Sequence, residues 1–227
     1  GDHRDLHKEY RRQRQMCIRD RYDPNCKKCS RLEQFLTSTK VKYPHYFCKP
    51  VPSFGSNSPF LLIVGLAPGM HGANNTGRPF TGDHAGILLY KALYKYGFSN
   101  KPKSMQKDNL KLIDCRISNA VKCLPPENKP TIDEINNCNT YLANELGELK
   151  ARTVILALGT IAHNAILKAL HLTRSNFEFS HGGRHILPNE LILYDSYHCS
   201  RYNTQTKRLT EAMFFDIFLT ITKERGK

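Results

Sequence analysis

The apolar run Phe60-Leu61-Leu62-Ile63-Val64 passes directly into GLAPGMHGANNTGRPFTGD, residues 65–83, where five glycines fall within nineteen positions. A buried strand that ends in so glycine-rich a segment exposes its main chain, because glycine admits positive φ and lets a ligand approach the backbone closely. Pro68 stiffens the first turn, and Arg78 and Asp83 set opposite charges within a few residues of Phe80. Such a loop suits a flat, polar ligand. It is not a triphosphate loop: Gly72 and Gly77 have the spacing, but Arg78-Pro79 stand where a lysine and a serine or threonine are required. The dinucleotide fingerprint GxGxxG is missing as well.

Three more apolar runs, 110–119, 153–158 and 191–194, read as strands. Between them apolar residues recur at helical spacing: Leu32, Phe35 and Leu36; Ala85 to Tyr96; Ile135, Cys138, Leu142, Leu146 and Leu149; then 161–170 and 209–223. Thr131 with Glu134 predicts a capping box, Thr160 predicts a cap, and 201–207 reads as a polar loop. Short continuous strands alternating with helices argue a single-domain, three-layer α/β/α fold around a mostly parallel four-stranded sheet. The polar clusters at 65–83, Asn119, Gly159 and His198 all follow strand ends, where open parallel sheets bind ligands, so one site built from several loops is expected.

A chain of 227 residues with 40% apolar content fits one globular domain. The first 21 residues carry seven Lys or Arg against four Asp or Glu, so the net charge of +14 drops only to +11 without them. The cationic excess therefore belongs to the fold and favours a polyanionic partner. Nucleic acid is preferred to a membrane, since no apolar run reaches the length of a spanning helix. Residues 1–21 share no composition with the rest and lack a signal-peptide pattern. They are set aside as a non-native or disordered basic arm, with a native arm touching phosphates as the alternative, leaving 22–227 as the domain of a cytoplasmic monomer.

Eight cysteines in a reducing compartment bind metal or pack in the core. Cys26-x-x-Cys29 can hold one ion between two thiolates, and Cys123 and Cys138 lie fifteen apart across a proline-rich segment and a helix. A second CxxC, as in a zinc ribbon, is absent. Spacing alone leaves a metal site and four core cysteines both open.

Residues 65–83 resemble the first motif of family 5 uracil-DNA glycosylases, and SYHCSRYNTQT at 196–206 resembles the second. The segment NAVKCLPPENKPT at 119–131 is similar to a third stretch shared by families 4 and 5. This resemblance implies a 4Fe-4S cluster on Cys26, Cys29, Cys123 and Cys138. It also implies hydrolysis of uracil, and of other deaminated bases, from double-stranded DNA in base excision repair. A catalytically silent DNA-binding module on the same scaffold is the alternative.

Removing a base needs it flipped out, stacked and read at its edge, with its departing anion stabilised and a water near the sugar cation. Phe80 can stack on the base or simply pack in the core. Asn119 can present donor and acceptor to a pyrimidine or close a turn. His198 can donate to the uracil oxygen or be structural. Asp83 directly precedes a helix and can be its N-cap. By resemblance it is instead the acid that orients water or stabilises the sugar, because Ala67 leaves the usual carboxylate position empty. Pro68, Gly69 and Gly72 would offer backbone groups to the base beside Ala67, while Arg78, Ser200, Arg201 and Thr204 would grip the DNA. Asn75 departs from the arginine expected in the family, which removes a bracing or phosphate contact.

Overall fold

The computed structural model describes residues 22–225, so the arm at 1–21 lies outside the described residues. Six strands form one sheet: β1 (Phe54–Gly55), β2 (Leu61–Gly65), β3 (Cys115–Asn119), β4 (Val154–Leu158), β5 (Arg184–Ile186) and β6 (Ile192–Ser196), in the order β1-β3-β2-β4-β6-β5. The four central strands are parallel, as expected. The sequence reading missed β1 and β5, which pair antiparallel at the two edges. With two and three residues, neither is long enough to show an alternating pattern.

Successive residues of β2 face opposite layers. Leu61 and Ile63 pack with Leu89, Leu93, Phe214 and Phe218 of α3 (His84–Lys95) and α7 (Glu211–Glu224). Leu62 and Val64 pack with Leu142, Leu146, Ala162 and Ile166 of α4 (Ile132–Gly147) and α5 (Thr160–Ala169). Both faces are therefore covered, which is why the central strands read as continuous apolar runs. Helix α1 (Ser30–Lys42) adds a third cluster, packing Leu32 and Leu36 against Val121, Cys138 and Tyr141.

The Thr131–Glu134 capping box forms as expected. Thr160 is not a cap: Gly159, at φ +96°, takes that position and Thr160 opens the helix. Two short helices lie in segments read as loops, α2 (Ala73–Thr76) within the glycine-rich stretch and α6 (Arg201–Gln205) after His198. Ser200 starts α6 by accepting from Asn203 N at 3.4 Å. From β2 the chain goes to β3 on one side and then crosses to β4 on the other, so strand order reverses at β2. Ligand crevices in open α/β sheets form at such a reversal, beyond the strands' C-terminal ends.

Candidate active site

At that edge Gly65 ends β2, Asn119 ends β3 and Ser196 ends β6, and the loops beyond them enclose a cavity of about 460 Å³. Ala67, Gly69, Phe80, Asp83, Asn119 and His198 all line it. A methyl on Gly65 would stand 2.5 Å from Asn119 Oδ1 and 2.6 Å from the Phe80 ring. The bare glycine therefore lets those two side chains approach each other across β2.

Asp83 occupies the N-cap position of α3, yet its side chain makes no capping bond. Its Oδ2 accepts instead from Ala73 N at 3.1 Å, and the carboxylate fills space that a Cβ on Gly69 or Gly72 would overlap. The glycines make a cradle for this one acid. Burial raises its pKa, opposed in part by the Ala73 amide and the nearby His71.

His198, two residues beyond β6, faces Phe80 with ring centroids 6.1 Å apart and planes at 29°. Burial pulls its pKa down to about 4, so the imidazole is neutral at physiological pH and donates through one nitrogen. Phe80 is buried and belongs both to the core and to the cavity wall. Its φ is +56°, a left-handed conformation that costs a bulky residue on the order of 1–3 kcal/mol and recurs at functional sites. Neighbours fix it there: Tyr90 Oη donates to Pro79 O at 2.9 Å, Thr81 Oγ1 and Ser104 Oγ share a 2.6 Å bond, and Gly86 leaves room for the Phe80 carbonyl. Asn119 lines the cavity, and its Oδ1 is buried with no hydrogen-bond partner.

Of the residues expected on DNA, Ser200 and Arg201 line the cavity. Thr204 does not line it, and its hydroxyl bonds the Ser200 and Arg201 carbonyls of the preceding turn at 3.1 and 3.0 Å. Arg78 is engaged within the protein, where Nη1 meets Asp108 at 2.6 Å, Ser104 at 3.1 Å and the Met105 carbonyl at 3.3 Å, with its guanidinium over Phe54. Pro68 and Gly72 do not line the cavity, and Gly72 acts through Asp83. His84 and Asn128 do line it, and no role was foreseen for either. Asn128, at φ +57°, lies within the NAVKCLPPENKPT stretch that carries the resemblance.

Cys26, Cys29, Cys123 and Cys138 line a separate cavity of about 410 Å³ under α1. No three of these sulfurs lie within 4.8 Å of one another. Four thiolates on a single tetrahedral ion at ~2.3 Å would stand only about 3.8 Å apart. The four thiols border one shared space, as a group held by all of them requires. Cys29 Sγ accepts from Asn137 Nδ2 at 3.5 Å and Cys138 Sγ from Lys122 N at 3.4 Å. A second grouping, His163, His185 and Asp195, has ligand atoms close together, but they already bond one another: His163 Nδ1 meets Asp195 at 2.7 Å and His185 Nε2 meets it at 3.3 Å. The second nitrogen of His163 is bonded to the Phe177 carbonyl. Burial lowers the His163 pKa, and Asp195 more than reverses that, so this is a buried ion pair that pins the 177–185 loop.

Comparison with known proteins agrees with this geometry. A family model described as the uracil DNA glycosylase superfamily matches residues 52–220. A type-5 uracil-DNA glycosylase of Thermus thermophilus is 45% identical over 181 residues, covering 80% of this chain and 83% of that protein. One from Pyrobaculum aerophilum is 38% identical over 207 residues, covering 89% and 90%. A type-4 uracil-DNA glycosylase of the same organism is 37% identical over 121 residues, covering 53% and 54%. With a family model matching most of the chain and type-5 relatives 45% and 38% identical over 80% and 89% of it, the chain belongs to the uracil DNA glycosylase superfamily, on its type-5 branch.

Proposed function

We propose that this chain is a monofunctional DNA glycosylase that hydrolyses the N-glycosidic bond of uracil in double-stranded DNA, the opening step of base excision repair, with other deaminated bases as further substrates. The observation that carries the reading is the buried, partnerless Asn119 Oδ1 in the same wall as Asp83 and His198. An unmet buried acceptor costs about 1–3 kcal/mol, and the N3–H of a flipped uracil would satisfy it.

In this reading Phe80 stacks on the extruded base. As the bond from C1′ to N1 of uracil breaks, its electron pair leaves with the base and charge gathers on the carbonyl oxygen to which neutral His198 donates. The Asp83 carboxylate lines the same cavity, where it stabilises the sugar cation and orients the water whose oxygen bonds to C1′; the water's surplus proton leaves to solvent. A residue that merely capped a helix would not need a glycine cradle on its far side, which favours catalysis over a silent scaffold.

Cys26, Cys29, Cys123 and Cys138 would hold a 4Fe-4S cluster. When bound, it supplies covalent ties between distant segments, and its cavity shares no lining residue with the one holding Asp83 and His198. Residues 22–227 form one domain acting as a monomer in the cytoplasm on nucleoid DNA; no helix among the described residues is long and apolar enough to cross a membrane. The test is chromatography of the products from a duplex with a labelled uracil. Free uracil and an intact abasic strand are expected, whereas tight binding with the base still attached would favour the silent module.

A further inference from the structure

Beside the catalytic cavity lies a second one of about 470 Å³, and Phe80, Asp83, His84 and Arg201 line both. Its outer lip is formed by Lys103, Ser104 and Met105. That lip is locked to the catalytic loop rather than loosely apposed. Arg78 grips it through Asp108, Ser104 and the Met105 carbonyl, Asp108 also accepts from Met105 N at 2.8 Å, and Ser104 bonds Thr81 next to Phe80. The Arg78–Asp108 pair is largely shielded, with side chains 20% and 7% exposed. Asp108 is accordingly held below the usual carboxylate range: burial pushes its pKa up, and the Met105 amide and Arg78 more than reverse that.

What the lock holds out to solvent is one cation and an apolar pair. Lys103 is exposed and, with Arg201, makes no ion pair among the described residues, while Met105 and Ile87 are 65% and 63% exposed on the same cavity. Exposed methionine and isoleucine next to a catalytic mouth, flanked by unpaired cations, match the chemistry of a nucleotide: an anionic phosphate on one side and an apolar sugar and base face on the other.

Resting on the glycosylase reading, we propose that this groove receives the nucleotide next to the flipped uridine. Its phosphate lies between Lys103 and Arg201, its sugar and base lie on Met105 and Ile87, and Arg78 positions the lip without touching DNA.

The test is equilibrium binding of a fluorescent duplex carrying a non-cleavable abasic analogue, measured over a salt series with wild type, Lys103→Ala, Met105→Ala and, as a positive control, Arg201→Ala. Lys103→Ala is expected to weaken binding about 5- to 10-fold at low salt and to reduce the log–log salt slope by about 1, as loss of one phosphate contact does. Met105→Ala should weaken binding several-fold with the slope unchanged, and most for one choice of base beside the lesion. Wild-type affinity and slope in both variants, with Arg201→Ala impaired, would overturn the groove. Binding needs no catalysis, so a wild-type protein that bound the duplex but released no uracil would count against the proposed reaction and leave the groove standing.

Discussion

Asp83 and His198 have ionisation states that suit opposite tasks, and both come from burial. The raised pKa of Asp83 means that the anion needed beside the sugar forms only as pH climbs above the ordinary aspartate range, so the excision rate should rise through one acid limb. His198, lowered to about 4, is already neutral over that span. Its loss of a proton should therefore leave no inflection near the usual histidine value of about 6.5. A single-turnover pH profile checks this, and a second limb at that value would show that His198 works as a cation. The cradle offers a sharper test. Gly72→Ala adds one methyl where Asp83 Oδ1 now sits, so the carboxylate must move. Excision is expected to fall on the order of 10²-fold, the size of a lost electrostatic contact to the transition state. Sequence alone could name Asp83 but could not choose between cap and catalyst, because an N-cap position and the direction of its side chain are separate facts.

The elements were legible in proportion to their length. The four central strands announce themselves as continuous apolar runs and the five long helices by periodicity, and the capping box at Thr131 and Glu134 forms as read. What escaped was short or partner-dependent: two edge strands, the one-turn helices α2 and α6, and Arg78, whose partner Asp108 lies thirty residues away across a loop. Glu134 also did more than its motif showed. Arg31 of α1 grips it through two bonds at 2.8 and 2.7 Å, tying the CxxC segment to α4. That pairing, with help from the Thr131 amide, holds the Glu134 pKa low. A carboxyl lowered by folding adds stability above about pH 4.5, and the stability drains as pH falls through the folded value. Glu134→Gln keeps an acceptor for the cap but loses the half-exposed ion pair, so chemical denaturation at pH 7 should show a loss of about 0.5–1 kcal/mol, shrinking toward pH 3. Cys138→Ser, one turn further along the same helix, should abolish visible charge-transfer absorbance and bound iron. It should also cost at least about 2 kcal/mol, roughly 4–8 °C in Tm for a chain of this size. Stoichiometric zinc in anaerobically handled wild type would contradict the cluster.

At the scale of the whole molecule, the sheet places Ala67, Gly69, Phe80, Asp83, Asn119 and His198 at one edge, where strand order reverses at β2, and the charge of +14 supplies the attraction that brings DNA there. Affinity for undamaged duplex should fall linearly on a log–log salt plot by ~0.9 for each phosphate neutralised, and a flat response would remove DNA as the partner. Long-range assembly of the site was anticipated from strand ends alone. The cavity beside it, the glycine cradle and the locked lip were not, since each depends on side chains meeting across loops of unrelated sequence. The central claim is that Asp83 and His198 together break the glycosidic bond, and it is tested most directly by single-turnover release of uracil from a duplex at saturating protein. Asp83→Asn retains an oxygen for the Ala73 amide and removes only the charge. Both it and His198→Ala are expected to slow release by on the order of 10²-fold or more while duplex binding and melting stay near wild type. Wild-type rates in both variants would contradict the assignment of the chemistry, whatever the fold.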